Sequence, residues 1–377
     1  MNILLVITKS DLGGAQVFVL NLAKSLKKRG VHVEIAAGDG DYLFNELQKE
    51  KINYYYLNSL KRDFNAINGI RFVFELNKLL KQKNFQIVHL NSSNTLIGVL
   101  SGWFIKERPK FVFTFHGLSF IDKNFISGIF LKTIANLYHK LLLKMVDKNV
   151  FECKLNSDEI VKRGIVNSGE IIYNGLNPSD LNYLSREKAR EYFSAIWNMD
   201  LSNSFIIGTT GRLTYQKNYE FLINAFSLFI QKVKNVKLII IGDGPYKNDH
   251  ASHIRKLGLE NDILLVGTLK NSFLYMKGFD VFTLTSRYEG ISISLIEALY
   301  AEIPILVTDV GGNRDVVGNN EKELFPLDDV NNFISKLLGI YKNGKYYMEF
   351  NSTIQERFSL DNMTNNYLEL YRSLIKY

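Results

Sequence analysis

The sequence predicts an α/β protein of two doubly wound parallel-sheet domains, and three observations predict it. Short apolar runs alternate with amphipathic helical patterns, the alternation comes in two successive series, and a turn-rich seam divides them. Strands joined through helices run parallel with both sheet faces covered, so they read as near-continuous apolar runs. At 377 residues the chain is also too long for one comfortable core.

The first series opens with Asn2–Thr8, whose apolar part Ile3–Ile7 is too short for a secretory h-region. Next comes GGAQVFVLNLAKSLKKRG, an amphipathic helix that stops at Gly30. Strands follow at His32–Ala37, Ile87–Asn91, Phe111–Phe115, Asn149–Glu152 and Ile171–Tyr173. Asn-Gly and Asn-Pro in IIYNGLNPSDL are strong turn signals and set the hinge at Asn174–Asp180, dividing domain 1–176 from domain 177–359. The second series places strands at Phe205–Thr209, Lys237–Ile241, Ile263–Val266, Val281–Leu284 and Ile305–Thr308. The tail LDNMTNNYLELYRSLIKY reads as a final helix.

Hydrophobic residues at 46% describe a globular chain, and no run of about 18 apolar residues is present to cross a bilayer. The single cysteine, Cys153, excludes an intramolecular disulfide and suits a reducing cytoplasm. No C-x-x-C or H-E-x-x-H supports a metal site. Residues 1–176 carry a net charge of +9 and residues 177–377 one of −1. A basic half suits an anionic substrate, an anionic membrane surface or nucleic acid. Its cations are dispersed and no recognition motif accompanies them, which disfavours nucleic acid. Within it, the stretch Phe125–Val146 sets Ile126, Ile129, Phe130, Ile134, Leu137, Leu141 and Met145 on one helical face, with Lys132, Lys140 and Lys144 towards the other. That pattern fits a basic helix lying on an anionic leaflet, and equally a core helix with a solvated face.

Ligands of open α/β sheets bind beyond the carboxyl ends of the strands, so post-strand residues are where chemistry belongs. Gly13 and Gly14 follow the first strand at a helix start, where bare amides suit a phosphate or sugar. His116 ends FVFTF and His89 lies in a similar position; a satisfied loop histidine is the plain alternative for both. In GTTGRLTYQKN, Arg212 and Lys217 stand beside a helix start, a pairing suited to a diphosphate. LIIIGDGPYK lacks the third glycine of a nicotinamide fingerprint, because Lys247 occupies that position, and reads as a tight turn. Asp39-Gly40-Asp41 has the D-x-D form of a divalent-ion site but no third carboxylate nearby, and reads as a solvated loop. In SRYEGISISLIEAL, Glu289 falls in a loop and Glu297 on the first turns of a helix. Gly290 between them frees backbone amides, and carboxylates accept from the paired hydroxyls of sugars and ribose. A second post-strand glycine pair follows in DVGGNRDVV.

Together these motifs resemble the retaining glycosyltransferases of family 4, with the GT-B architecture of two facing Rossmann-like domains about an interdomain cleft. EGISISLIE matches the E-x7-E spacing, GRLTYQKN the GR…K segment, IGDGP the G-x-G-P turn, IYNGLN the hinge, GGAQ the N-terminal glycine loop and TFHG the histidine loop. The resemblance implies that residues 1–176 take the acceptor and residues 177–359 the nucleotide sugar, with helix 360–377 packing back onto the first domain. It implies that Arg212 and Lys217 hold the donor diphosphate and that Glu297 binds the ribose hydroxyls. Glu289 would hold the donor sugar, beside the amides of Gly290, Ile291 and Ser292. Gly14 would approach the diphosphate and His116 the reacting carbon, with Gly13, Gln16 and His89 on the acceptor side. Cys153 stands where relatives often carry serine, and no role is assigned to it.

The implied reaction moves a hexosyl or N-acetylhexosaminyl unit from a UDP-sugar to a glycan or polyprenyl-diphosphate-linked acceptor in cell-surface polysaccharide synthesis. It needs no metal or other cofactor and is sited in the cytoplasm, peripheral on the inner face of the cytoplasmic membrane. With no carboxylate placed as a covalent nucleophile, attack on the leaving-group face is expected, a donor phosphate oxygen taking the acceptor's proton. Two alternatives stand beside it. A nucleotide-sugar epimerase of the same fold would turn over donor without acceptor. A non-catalytic nucleotide-sugar-binding subunit is argued against by the intact Arg212, Lys217, Glu289 and Glu297 set.

Overall fold

A computed structural model describes residues 1–62, 65–103, 105–117, 137–318, 320–344 and 352–375. The chain divides into two units, one of Met1–Gly175 with Arg357–Tyr377 and one of Leu176–Glu356.

In the first unit, seven strands form a sheet: β1 (Asn2–Ile7), β2 (His32–Ala37), β3 (Tyr54–Tyr56), β4 (Ile87–Leu90), β5 (Lys110–Phe115), β6 (Lys148–Phe151) and β7 (Glu170–Ile171). Their order is β3-β2-β1-β4-β5-β6-β7, with every neighbouring pair parallel. Alternate side chains of β1 serve opposite faces. Leu4 and Val6 join a core with Phe72 and Leu76 of helix α3 (Ala66–Gln82). Ile3, Leu5 and Ile7 join another, with Phe18 and Leu22 of helix α1 (Gly14–Lys28), Leu43 and Leu47 of helix α2 (Tyr42–Lys49) and Tyr367 and Tyr371 of helix Leu360–Ile375. Arg29 fastens that last helix by bonds to Asp361 and Asn365, each at 2.7 Å.

The second unit has a six-stranded sheet: β8 (Phe205–Thr210), β9 (Val236–Ile241), β10 (Ile263–Gly267), β11 (Val281–Leu284), β12 (Ile305–Thr308) and β13 (Leu324–Phe325). The order β10-β9-β8-β11-β12-β13 is again wholly parallel. A buried arginine ties together the edge where these strands begin. Arg190 Nη2 lies 2.6 Å from Asp280 Oδ2, and its other nitrogens donate to the carbonyls of Gly278 (3.1 Å), Leu201 (3.2 Å) and Ser202 (2.8 Å). Asp280 also accepts from Ile206 N–H, at the start of β8, at 2.7 Å, and pairs with Arg186.

Two expectations change. Of the amphipathic stretch Phe125–Val146, residues 125–136 lie outside the described residues. From Leu137 the chain is helical to Leu143, but Leu137 and Leu141 are exposed while Leu142, Leu143 and Val146 are buried. Consecutive leucines offered two faces, and the sheet takes the one not read from the spacing. The strands β3 and β13 were not anticipated: β3 is three tyrosines at a sheet edge, two of them exposed, and β13 has two residues. Neither makes an apolar run long enough to register. Among the described residues no helix is long and apolar enough to cross a membrane.

Candidate functional site

Each sheet reverses its strand order once, between β1 and β4 in the first unit and between β8 and β11 in the second. Such a reversal leaves a crevice beyond the strand ends, since the following loops diverge to opposite faces.

In the second unit, β8 leads into residues 211–218, where one 3₁₀ turn (Tyr215–Lys217) precedes helix Tyr219–Phe229. β11 leads to Ser292, the N-cap of helix Ile293–Ala301. The two loops are laced together: Arg287 N–H donates to the Gln216 carbonyl at 2.8 Å and Thr285 Oγ1 to the Lys217 carbonyl at 3.0 Å. Between them Lys217 Nζ lies 2.6 Å from Glu289 Oε1, the side chains 13% and 6% exposed. Gln216 Nε2 donates to Glu289 Oε2 at 3.1 Å and to the Tyr288 carbonyl at 3.0 Å. This is a largely desolvated ion pair, in which either charge alone would be costly. Arg212, on the same loop, is exposed.

Two glycines close the cluster. A Cβ on Gly311 (φ +51°) would stand 2.0 Å from the Glu289 carbonyl oxygen, and one on Gly242 (φ +148°) 2.0 Å from that of Gly211. The DVGG and IGDGP turns therefore seat the Glu289 and Gly211 loops at backbone contact. Gly312 N–H also donates to the Gly290 carbonyl at 2.9 Å. Gly290, Ile291 and Ser292 are buried, and Ser292 Oγ lies 2.9 Å from Ser294 Oγ.

Glu297 is the fifth residue of helix Ile293–Ala301, and among the described residues no side chain bonds its carboxyl. Part of the side chain reaches solvent, yet the surrounding protein removes enough water to push its pKa up to about 8 from an ordinary 4.5. Glu323 is raised to about 7, also by burial. Both groups hold a proton in the fold at pH values where the unfolded chain has lost it. Their contribution to stability is therefore full below the ordinary carboxylate range and declines as pH climbs from about 4.5 to about 8. We expect the melting temperature of the unliganded protein to fall across this window. Glu297→Gln should flatten part of the fall in a pH series of thermal melts; an unchanged slope would contradict the assignment.

In the first unit, β1 leads through Thr8–Gly13 into α1, whose first turn carries no acidic side chain. Gly13 is the N-cap, Gly14 the first helical residue, and Gln16 Nε2 donates to the Lys9 carbonyl at 2.9 Å. After β5, His116 Nδ1 donates to Glu152 Oε1, Nε2 lies 3.4 Å from Asn91 Oδ1, and the Phe18 ring packs edge-on at 4.8 Å. Asn91 Nδ2 donates to the His89 carbonyl at 2.9 Å, which turns its oxygen towards His116.

His89 requires correction. It lies inside β4, fully buried, with Nδ1 2.6 Å from Tyr371 Oη and Nε2 2.7 Å from Thr114 Oγ1. Burial, and then the neighbouring His116, hold its pKa well below 6.5. With both nitrogens engaged in the core it reaches no acceptor, so its role is to fix helix Leu360–Ile375. Asp39 of the D-x-D stretch is taken by Lys61 (2.8 Å) and the Tyr56 hydroxyl. Among the described residues no three His, Cys, Asp or Glu side chains gather to hold a metal ion.

The pairing of Lys217 with Glu289 joins two residues singled out from the sequence. Gln216, Asn91 and Glu152 were missed. Glu152 follows β6 as His116 follows β5, so the same post-strand criterion would have found it.

Two doubly wound parallel-sheet units with loop sites at their switch points have the GT-B fold. The structure of Anabaena Alr3699/HepE in complex with UDP and glucose is similar over 99% of this chain and all of its own, with a TM-score of 0.81 and 18% identity. Residues 12–180 match the profile of Glycosyltransferase Family 4, and residues 199–357 that of Glycosyl transferases group 1. The Escherichia coli O-antigen biosynthesis glycosyltransferase WbnH is 26% identical over 99% of both chains. The UDP-Gal:alpha-D-GlcNAc-diphosphoundecaprenol alpha-1,3-galactosyltransferase of Escherichia coli is 26% identical over 77% of this chain and 75% of its own. The chain belongs to the family 4 glycosyltransferases, a transferase of the kind found in bacterial polysaccharide synthesis.

Proposed function

We propose that the protein transfers a hexosyl or N-acetylhexosaminyl unit from a UDP-sugar to a glycan or polyprenyl-diphosphate-linked acceptor, with retention of configuration. The observation that carries this reading is the desolvated Lys217–Glu289 pair at the β8/β11 switch point. A donor diphosphate competes for Lys217 Nζ, and donor-sugar hydroxyls compete for the Glu289 oxygens. One ligand bearing both groups can therefore replace the pair without leaving either charge alone. Arg212 adds a second cation to the leaving diphosphate, and the open Glu297 carboxyl suits the ribose diol. The two cations meet the leaving-group charge, so no divalent ion is called for. In the first unit, Gly14 and the start of α1 serve the diphosphate and His116 the transferred sugar, while Gly13 and Gln16 shape the acceptor side. UDP and a lipid-linked acceptor are supported by the similar proteins, one bound to UDP and glucose and one acting on a diphosphoundecaprenol-linked sugar. The +9 charge of residues 1–176 supports work in the cytoplasm, on an anionic leaflet.

Thermal shift with UDP, GDP, ADP and their sugars tests the donor, since a ligand bound only by the fold raises the melting temperature. UDP should give the largest shift, and EDTA should leave it unchanged. Stereochemistry is tested on the product by its anomeric NMR coupling. Absence of a shift with every nucleotide would sink the reading, and product formed from donor alone would favour the epimerase.

A further inference from the structure

Among the described residues, none packs over the outer face of helix α3. Its inner face is fixed: Phe72 and Leu76 press on the 3₁₀ segment Ser93–Gly102, where a Cβ on Gly98 would stand 3.0 Å from each, and Asn77 Nδ2 donates to the Ser101 carbonyl at 2.6 Å. The opposite face carries Ile67, Ile70 and Phe74, which are 61%, 55% and 66% exposed. Large apolar residues scattered singly on a surface are ordinary, but three at spacings of three and four make a contiguous patch. Arg71, Lys78 and Lys81 are exposed on the same face. At 100° per residue the six side chains fall within an arc of about 100°. Glu75, the acidic residue of α3, lies at the edge of this arc and is turned to the backbone N–H groups of Asn58 and Ser59, at 3.0 Å each.

We infer that this face of α3 docks on an anionic lipid surface. The arrangement has the two parts such a helix needs: apolar side chains to enter the acyl boundary, and cations at headgroup level to meet negative charge. A protein partner would be served by the apolar patch alone, whereas the cations, unpaired among the described residues and in a half of the chain with net +9, select a surface that is both apolar and anionic. The inference deepens the reading of a lipid-linked acceptor and rests on it for its purpose, while its observations are those of α3 alone. Docking would hold the first unit where a polyprenyl-linked acceptor is found.

Flotation of the full chain with vesicles tests it, comparing pure phosphatidylcholine with phosphatidylcholine containing about 30 mol% phosphatidylglycerol. The protein should float with the anionic vesicles and only weakly with the neutral ones. Ile70→Ser with Phe74→Ser should lower the partition coefficient at least tenfold, and Lys78→Glu with Lys81→Glu should abolish the preference for anionic lipid. Both double variants should keep the wild-type melting temperature and UDP shift, because none of these residues belongs to the nucleotide site. Equal flotation on the two vesicle types, or unchanged binding by the variants, overturns the inference. So does a wild-type dimer that Phe74→Ser converts to monomer, since a second copy would then cover the face. A failed nucleotide shift with intact flotation would instead overturn the transferase reading and leave the lipid face standing.

Discussion

Lys217→Ala should lower kcat for transfer by about 10²–10³-fold, the effect of removing one preorganised charge from a developing anion. Two consequences are combined in that substitution. The proposed leaving diphosphate loses a cation, and the buried Glu289 carboxylate loses the ammonium that lies 2.6 Å from it. The second consequence is also a stability loss, because an uncompensated buried charge costs about 3–5 kcal/mol when its partner is removed. Glu289→Gln in the Lys217→Ala background separates them. Removing the stranded charge should restore the urea midpoint towards that of the parent, while kcat stays low. A double variant that recovers both would show that Lys217 acts through folding alone. Single-turnover transfer and equilibrium unfolding on the same three variants give the answer.

Arg190→Ala should lower the unfolding free energy by about 3–5 kcal/mol, because it removes a buried, ion-paired guanidinium together with its hydrogen bonds to the carbonyls of Gly278, Leu201 and Ser202. Asp280 is not orphaned, since it keeps the Ile206 N–H and Arg186. The Leu201 carbonyl keeps the Ser204 N–H at 3.2 Å and Ser202 is exposed to water, so the loss falls chiefly on the buried Gly278 carbonyl and on the packing of the guanidinium itself. The effect should appear in urea unfolding, with UDP affinity unchanged below the transition because the arginine lies at the opposite end of the strands from the site. A change under 1 kcal/mol would mean that water replaces the guanidinium freely.

Much of this protein was legible in its sequence for a reason that the sheets make plain. Fully buried parallel strands must be apolar on both faces, so LLVI, LIII and VFTL announce themselves. Post-strand loops inherit their function from topology, so Lys217 and Glu289 could each be singled out from the sequence, though not their 2.6 Å contact with one another. What was not legible depends on how side chains meet. His89 lies within β4, as the strand expected at Ile87–Asn91 already implied, and its ring is therefore a core ring rather than a loop ring. No spacing rule could show that Tyr371, 282 residues later, takes one of its nitrogens. The face of α3 was overlooked because its outward isoleucines and phenylalanine look, in sequence, like core.

The return of helix Leu360–Ile375 to the first sheet has a consequence for how the chain is made. The first unit is discontinuous, its opening 175 residues completed only by residues after 356. A ribosome therefore delivers every strand of the second unit before it releases the tyrosines that cap His89 and Thr114. Folding during synthesis should run in reverse of chain order, the later-made unit maturing while the earlier one waits with an open flank. Nascent chains stalled short of the last helix would be the species most exposed to chaperones, and a carboxy-terminal truncation would harm the half of the molecule encoded first.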